Sequence, residues 1–242
     1  MIFPLLSGMI LRAGYLSSIC NDGPSTNITP AEILKKYNVD IDEKFTDNQK
    51  WAILHAVYRV GSRLAEKRNK NESAADAFKN VYSAVHFQLG CGDDCRSKDK
   101  NGKPYGNEGG AFSSGWQANN GNGYFLIKIG TMVDDGGMRG TIHMVHELGH
   151  AYDYAMGDIS RKGSMPDNVF TRDSLRPNGY WYNGIFTADK TVLGWQMHPP
   201  KDGEDDSRGE TFADIFVAWT FNAWNTNPDN ANAVTAAQGW MP

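Results

Sequence analysis

The amino-acid sequence predicts an α+β protein that is mainly helical. It divides into a helical N-terminal region over 1–89 and a region over 90–242 that holds a small sheet with an edge strand beside a long helix, the two forming one compact unit. Three observations carry this expectation. Apolar residues recur at helical spacing through much of 30–85, Tyr124–Ile129 alternates as a strand does, and the periodic run Gly137–Met156 has the length and spacing of a long helix.

The chain has 242 residues, 40% of them hydrophobic, enough to bury a core without help from crosslinks. A net charge of -4, with no cluster of lysines and arginines, argues against a nucleic-acid partner. Met1–Cys20 is apolar but lacks a basic start, is interrupted by Arg12 and is too short to cross a bilayer, so it reads as a packed segment and no transmembrane span is expected. Cys91 and Cys95 are close enough for a small-loop disulfide, with Cys20 left over or paired to one of them. A zinc knuckle would need a further Cys/His pair nearby. A disulfide, with the sequons Asn27-Ile28-Thr29 and Asn71-Glu72-Ser73, points to a secreted or extracellular protein.

In the N-terminal region, Thr29-Pro30 followed by Ala31-Glu32-Ile33-Leu34 has the form of an N-cap with proline in the first turn. Thr46 or Asp47 caps a longer helix in which Trp51, Leu54, Val57 or Tyr58, Gly61 and Leu64 recur. A third helix is expected from about Glu72 to Val85, with Ala74, Ala77, Phe78, Val81 and Tyr82 inward. His55 and His86 have no partner at ligand spacing and read as ordinary packed or surface histidines. Gly90–Gly123, rich in Gly, Asn, Asp and Ser, is expected to be irregular. Its Asp93, Asp94, Asp99 and Asn101 depart from the EF-hand calcium pattern and read as a solvated loop. In Tyr124–Ile129, Phe125, Ile127 and Ile129 share one face and Lys128 the other. A lysine on a short strand is an edge-strand device, and an exposed edge can pair with an extended peptide.

The long helix carries His146-Glu147-Leu148-Gly149-His150. Side chains four apart on a helix stand on one face, so the two imidazoles converge as zinc ligands, with Ile142, Val145 and Leu148 on the apolar side and Gly149 leaving room beside the metal. Glu147 is placed to take a proton from water that the metal activates. A third ligand is needed. A third histidine in the metzincin pattern is excluded, because Asp153 stands where its glycine belongs and Met156 where its histidine belongs. His143, Asp153 and Asp158 are weaker candidates than Glu210, which stands in the apolar-periodic run Arg208–Trp219. Asp214, one turn beyond Glu210, shares its face and can accept the other N–H of His146.

The pair H-E-x-x-H and E-x-x-A-D resembles the gluzincin class of zinc metallopeptidases. H-E-L-G-H-A with E-T-F-A-D-I-F is most similar to the catalytic domains of the anthrax-lethal-factor-like toxins, over roughly Gly123–Trp219. The resemblance implies a zincin-like fold, zinc held by His146, His150 and Glu210, Glu147 as general base, Asp214 hydrogen-bonded behind His146, and an extended protein or peptide substrate. It departs from the thermolysin-like members in that Glu210 follows His150 by sixty positions, which requires an insertion. That connection, with Tyr180, Tyr182 and His198 as candidate donors to a tetrahedral oxyanion, is expected to wall the cleft. The expected activity is zinc-dependent endopeptidase. The alternatives are an amidohydrolase acting on a non-peptide amide, or an inactive binding module of a larger surface or toxin protein.

Overall fold

The computed structural model describes residues 29–68, 71–89, 111–119, 122–129, 138–160 and 206–222, with a few positions of the C-terminal tail. In chain order the elements are α1 (Pro30–Lys36), β1 (Val39–Ile41), α2 (Asp47–Arg68), α3 (Ala74–Tyr82), β2 (Val85–Leu89), β3 (Ala111–Asn119), β4 (Asn122–Ile129), α4 (Met138–Ala155) and α5 (Asp206–Phe221). This is an α+β arrangement of helices against one small mixed sheet. No helix among the described residues is long and apolar enough to cross a membrane.

Local chemistry accounts for the helix starts. Thr29 caps α1 through a reciprocal box with Glu32, and Pro30 occupies the first turn. At the head of α2, Gln49 N–H donates to Thr46 Oγ1 at 3.3 Å and Thr46 N–H donates to Gln49 Oε1 at 2.9 Å, so Thr46 rather than Asp47 is the cap. Ser73 caps α3 by accepting from Asp76 N–H. The helix ends at Tyr82, earlier than its apolar spacing predicts, because Ser83 adopts φ 58°, ψ -65° and breaks the helical path. Val85, expected at the end of this helix, instead opens β2.

The sheet order is β1-β2-β4-β3, with β1, β2 and β4 parallel and β3 antiparallel to β4. Two expectations are corrected here. The Gly90–Gly123 stretch is not irregular throughout, since it contains β3. The strand Tyr124–Ile129 lies in β4, which is paired on both sides, so Lys128 marks the outer face of an interior strand. Among the described residues the edge beside α4 is β3. The Gly- and Ser-containing sequence of β3 has little intrinsic strand preference and is held by its ladder to β4, with a register shift between Ser113 and Trp116. A signal for this pairing is present in the sequence: Asn120-Gly121, the strongest two-residue hairpin dipeptide, stands between the register partners Asn119 and Asn122.

One apolar cluster joins these elements. Ile33, Leu54, Phe78, Val85, Phe125, Ile142, Leu148, Phe212 and Trp219 all belong to it, so residues from both halves of the chain share a single core. Polar ties fix its helices to one another. The buried Tyr82 hydroxyl donates to the Leu148 carbonyl at 3.0 Å, joining α3 to α4. Burial, followed by the nearby Tyr152, holds the Tyr82 pKa well above the ordinary phenol value, so this donor keeps its proton. Arg63 of α2 is buried beneath α5, with its guanidinium 5.5 Å from the Trp219 ring centre and Nη2 donating to Asn222 Oδ1 at 3.1 Å. At Gly61, α2 passes so close to the start of α3 that an added Cβ would collide with the Ala74 carbonyl oxygen, a backbone atom that cannot move aside alone.

Gly61→Ala should therefore lower stability by about 1–3 kcal/mol, the usual range for overpacking a close contact. Thermal unfolding measures it, and an unchanged or raised melting temperature would contradict the packing described.

Candidate metal centre

Two helices build the centre, and their apolar faces determine how. On α4, Ile142, Val145, Leu148 and Ala151 are buried in the core, which leaves His146, Glu147 and His150 on the remaining surface of the helix. On α5, Phe212, Ala213, Ile215, Phe216 and Trp219 are buried, and Glu210 and Asp214 project towards α4. Tyr152 fastens the two faces, lying 6.2 Å from the Phe212 ring at 17° and 5.1 Å from the Phe216 ring. Gly149 sets their separation. A Cβ there would come within 3.0 Å of the Ala213 Cα and 3.1 Å of the Phe216 Cβ. The room that Gly149 leaves is thus occupied by α5, which corrects the expectation that it clears space beside the metal.

This approach brings three ligand atoms together. His146 Nε2 lies 3.1 Å from Glu210 Oε2, His150 Nε2 lies 3.5 Å from the same oxygen, and the two Nε2 atoms are 3.2 Å apart. Ligands bound to zinc at 2.0–2.1 Å and at tetrahedral angles lie about 3.3 Å from one another, so the triangle has the size of one face of a zinc tetrahedron. Chemistry agrees with size. Three basic atoms so close repel unless a cation lies among them; a single proton serves one pair, whereas a divalent ion serves all three. His146 is buried and the other two are half-buried, so this His146–His150–Glu210 group can hold a metal ion.

Asp214 lies behind the centre. Its Oδ1 is 3.0 Å from His146 Nδ1 in a buried contact, which directs the Nδ1 proton to the carboxylate and leaves Nε2 as the ring atom that faces His150 and Glu210. Burial alone pushes the His146 pKa down, but the bonds to Asp214 and Glu210 outweigh it and hold the imidazole well above its ordinary value. For Glu210, burial pushes the pKa up, and the bonds to His146 and His150 reverse this and hold the carboxyl far below the usual range. The acid therefore stays ionised, as a ligand must be, and the proton on the imidazole is the species a metal has to displace.

The other candidates have other partners. Asp153 is buried and accepts from Ser160 N–H at 2.8 Å and from the Ser160 hydroxyl, closing the turn after α4 in which Gly157 and Asp158 adopt positive φ. It acts as a lock on the helix end and does not ligate. His143 and Asp158 also lie outside the metal-capable group. Glu147 is 4% exposed, and its Oε1 stands 3.9 Å from His143 Nε2, one turn back. Sequence reasoning did not foresee that neighbour, although its i,i+4 spacing is visible. Tyr180, Tyr182 and His198, along with Cys20, Cys91, Cys95 and the acidic residues of 93–101, lie outside the described residues. His86, expected to be ordinary, has its Nδ1 3.0 Å from Asp40 Oδ2 across the β1–β2 pair.

No protein family, curated protein or solved structure matches the chain.

Asp214→Ala should weaken metal binding by about 10–100-fold, the usual cost of losing a carboxylate behind a ligating histidine. Gly149→Ala should weaken it too, by forcing α5 away. Zinc titration against a chromogenic chelator tests both, and unchanged affinity in the pair of variants would sink the proposed geometry.

Proposed function

We propose that this protein is a zinc-dependent metalloendopeptidase of the gluzincin type with a zincin-like fold, in which His146, His150 and Glu210 hold the ion. The triangle of ligand atoms contributed by two separate helices, with Asp214 bonded to His146, is the observation that carries the reading. Two imidazoles and one carboxylate are a donor set of hydrolytic zinc sites, which keep a coordination position for water or substrate. When bound there, zinc supplies Lewis acidity, lowering the pKa of water towards neutrality and polarising a carbonyl oxygen.

The chain's own residues do the rest. Glu147 follows His146 directly on α4, and its carboxylate takes the proton of the attacking water and returns it to the leaving nitrogen. Its burial removes competing solvent, and its neighbour His143 limits where the carboxylate can swing. Asp214 keeps His146 in the tautomer whose Nε2 faces the centre. The peptide substrate lies extended along β3, which packs against α4 and is the last strand of the sheet on that side. An exported setting is part of the reading: Asn71, in the second sequon, is exposed in the connection between α2 and α3, where a glycan acceptor has to be.

Glu147→Gln should retain zinc yet lose cleavage of casein by at least about a hundredfold, the scale of a lost general base, whereas Glu210→Ala should lose metal and activity together. Metal analysis and casein hydrolysis with and without chelator measure both. A fully active Glu147→Gln protein would refute the assignment, and zinc-dependent turnover of simple amides without any peptide cleavage would redirect it to a non-peptide substrate.

A further inference from the structure

The sheet has a second face, and it carries a cluster that the metal centre does not use. Val85 and Phe87 on β2, with Phe125 and Ile127 on β4, are buried on the side of the helices. Alternation along a strand places His86 and Tyr124 on the opposite side, with Asp40, the register partner of His86, beside them. Lys35 from the last turn of α1 and Asn38 complete the wall of an open cleft of about 560 Å³. Its volume is that of a small-molecule site. The metal helix packs on the other face, where Tyr154 of α4 meets the Phe125 ring at 5.9 Å, so the two sites lie on opposite faces of the sheet.

Two helix ends stand at the head of the cleft. Asn38 adopts φ 57°, and Ser83, at φ 58° and ψ -65°, is the centre of a γ-turn closed by Ala84 N–H donating to the Tyr82 carbonyl at 2.6 Å. The Asn38 amide donates to the Ser83 carbonyl at 2.6 Å, tying these two residues together at the heads of β1 and β2. For Asn38 the positive φ is that of an ordinary residue closing a helix, whereas Ser83 holds a rarer conformation that this hydrogen bond helps to impose.

The lining defines the ligand. The Asp40 carboxylate accepts, Lys35 donates, and His86, with Nδ1 directed at Asp40, adds a second ring nitrogen to the polar lining. An anion would meet Asp40 and a cation would meet Lys35, so the complement is a neutral molecule with many hydroxyl donors and acceptors. The Tyr124 ring adds an apolar face, standing 6.2 Å from the His86 ring at 75°. Two rings at that angle make a corner with one flat wall. A sugar ring rests its C–H face on one such wall and turns its hydroxyls to the polar side, where Asp40 and Lys35 stand. We propose that this cleft is a binding site for a neutral saccharide, independent of the metal centre.

The test uses the full chain, fluorescently labelled, over immobilised oligosaccharides ending in glucose, galactose, mannose or N-acetylglucosamine, with a parallel set ending in sialic acid, each run with and without EDTA. The expected result is saturable binding to at least one neutral terminus, unchanged by EDTA, and weakened at least about tenfold by Asp40→Ala or Tyr124→Ala, the loss that follows from one hydrogen bond to a charged group or one stacking face. Asp40 is 77% exposed, so its substitution leaves the fold intact and decides the matter even if Tyr124→Ala fails to fold. Binding to no neutral terminus, binding to sialylated termini alone, loss of binding in EDTA, or undiminished binding by Asp40→Ala would each overturn the proposal.

Discussion

The structure depends on how closely α4 and α5 approach at Gly149. Neither helix by itself carries three residues that could hold a metal ion. The two histidines of α4 become a three-atom centre only because Glu210 of α5 arrives within hydrogen-bonding distance, and it arrives because the backbone of α5 packs where a side chain of residue 149 would otherwise be. Helix axes ordinarily pack 8–10 Å apart according to the side chains between them. Gly149 and Ala213 let this pair come close, and the aromatic contacts of Tyr152 with Phe212 and Phe216 hold it there.

The electrostatics of the centre follow from that packing. A buried imidazole is normally pushed towards neutrality, and a buried carboxylate towards protonation. Here each reverses the other's tendency: His146 is held between two acids, and Glu210 between two imidazoles. Hydrophobic burial on the far sides of both helices holds these polar groups together in the core, where a shared cation could take the place of the proton between them. The surrounding ties serve rigidity: Tyr82 to the Leu148 carbonyl, Asp153 to Ser160 and Arg63 beneath Trp219 hold the helices on three sides.

The sheet divides the molecule chemically. Its inner face joins the single core, and its outer face carries Asp40, His86, Tyr124 and Lys128. The edge next to α4 belongs to β3, whose composition of small and polar residues conceals it from a propensity reading. In β4 the alternation of Phe125, Ile127 and Ile129 is plain from the sequence, but alternation reports which face a residue occupies, not whether its strand has one neighbour or two. Lys128 has the look of an edge-strand lysine in sequence, though it stands on the polar face of a strand paired on both sides.

The sequence by itself determined whatever depends on neighbours a few positions away. That covers the helix start at Thr29-Pro30, the helix bearing His146, Glu147 and His150, and the shared face of Glu210 and Asp214, because capping signals and helical periodicity are local properties of the chain. Tertiary structure decided what depends on residues brought together from far apart. It selected Glu210 over Asp153 and Asp158 as the third member of the centre, gave Gly149 its role against Ala213, paired His86 with Asp40, and made β3 the edge strand. The reason is physical: a hydrogen bond of about 3 Å between chain segments dozens of residues apart is set by the packing of the whole core, and no local pattern encodes it.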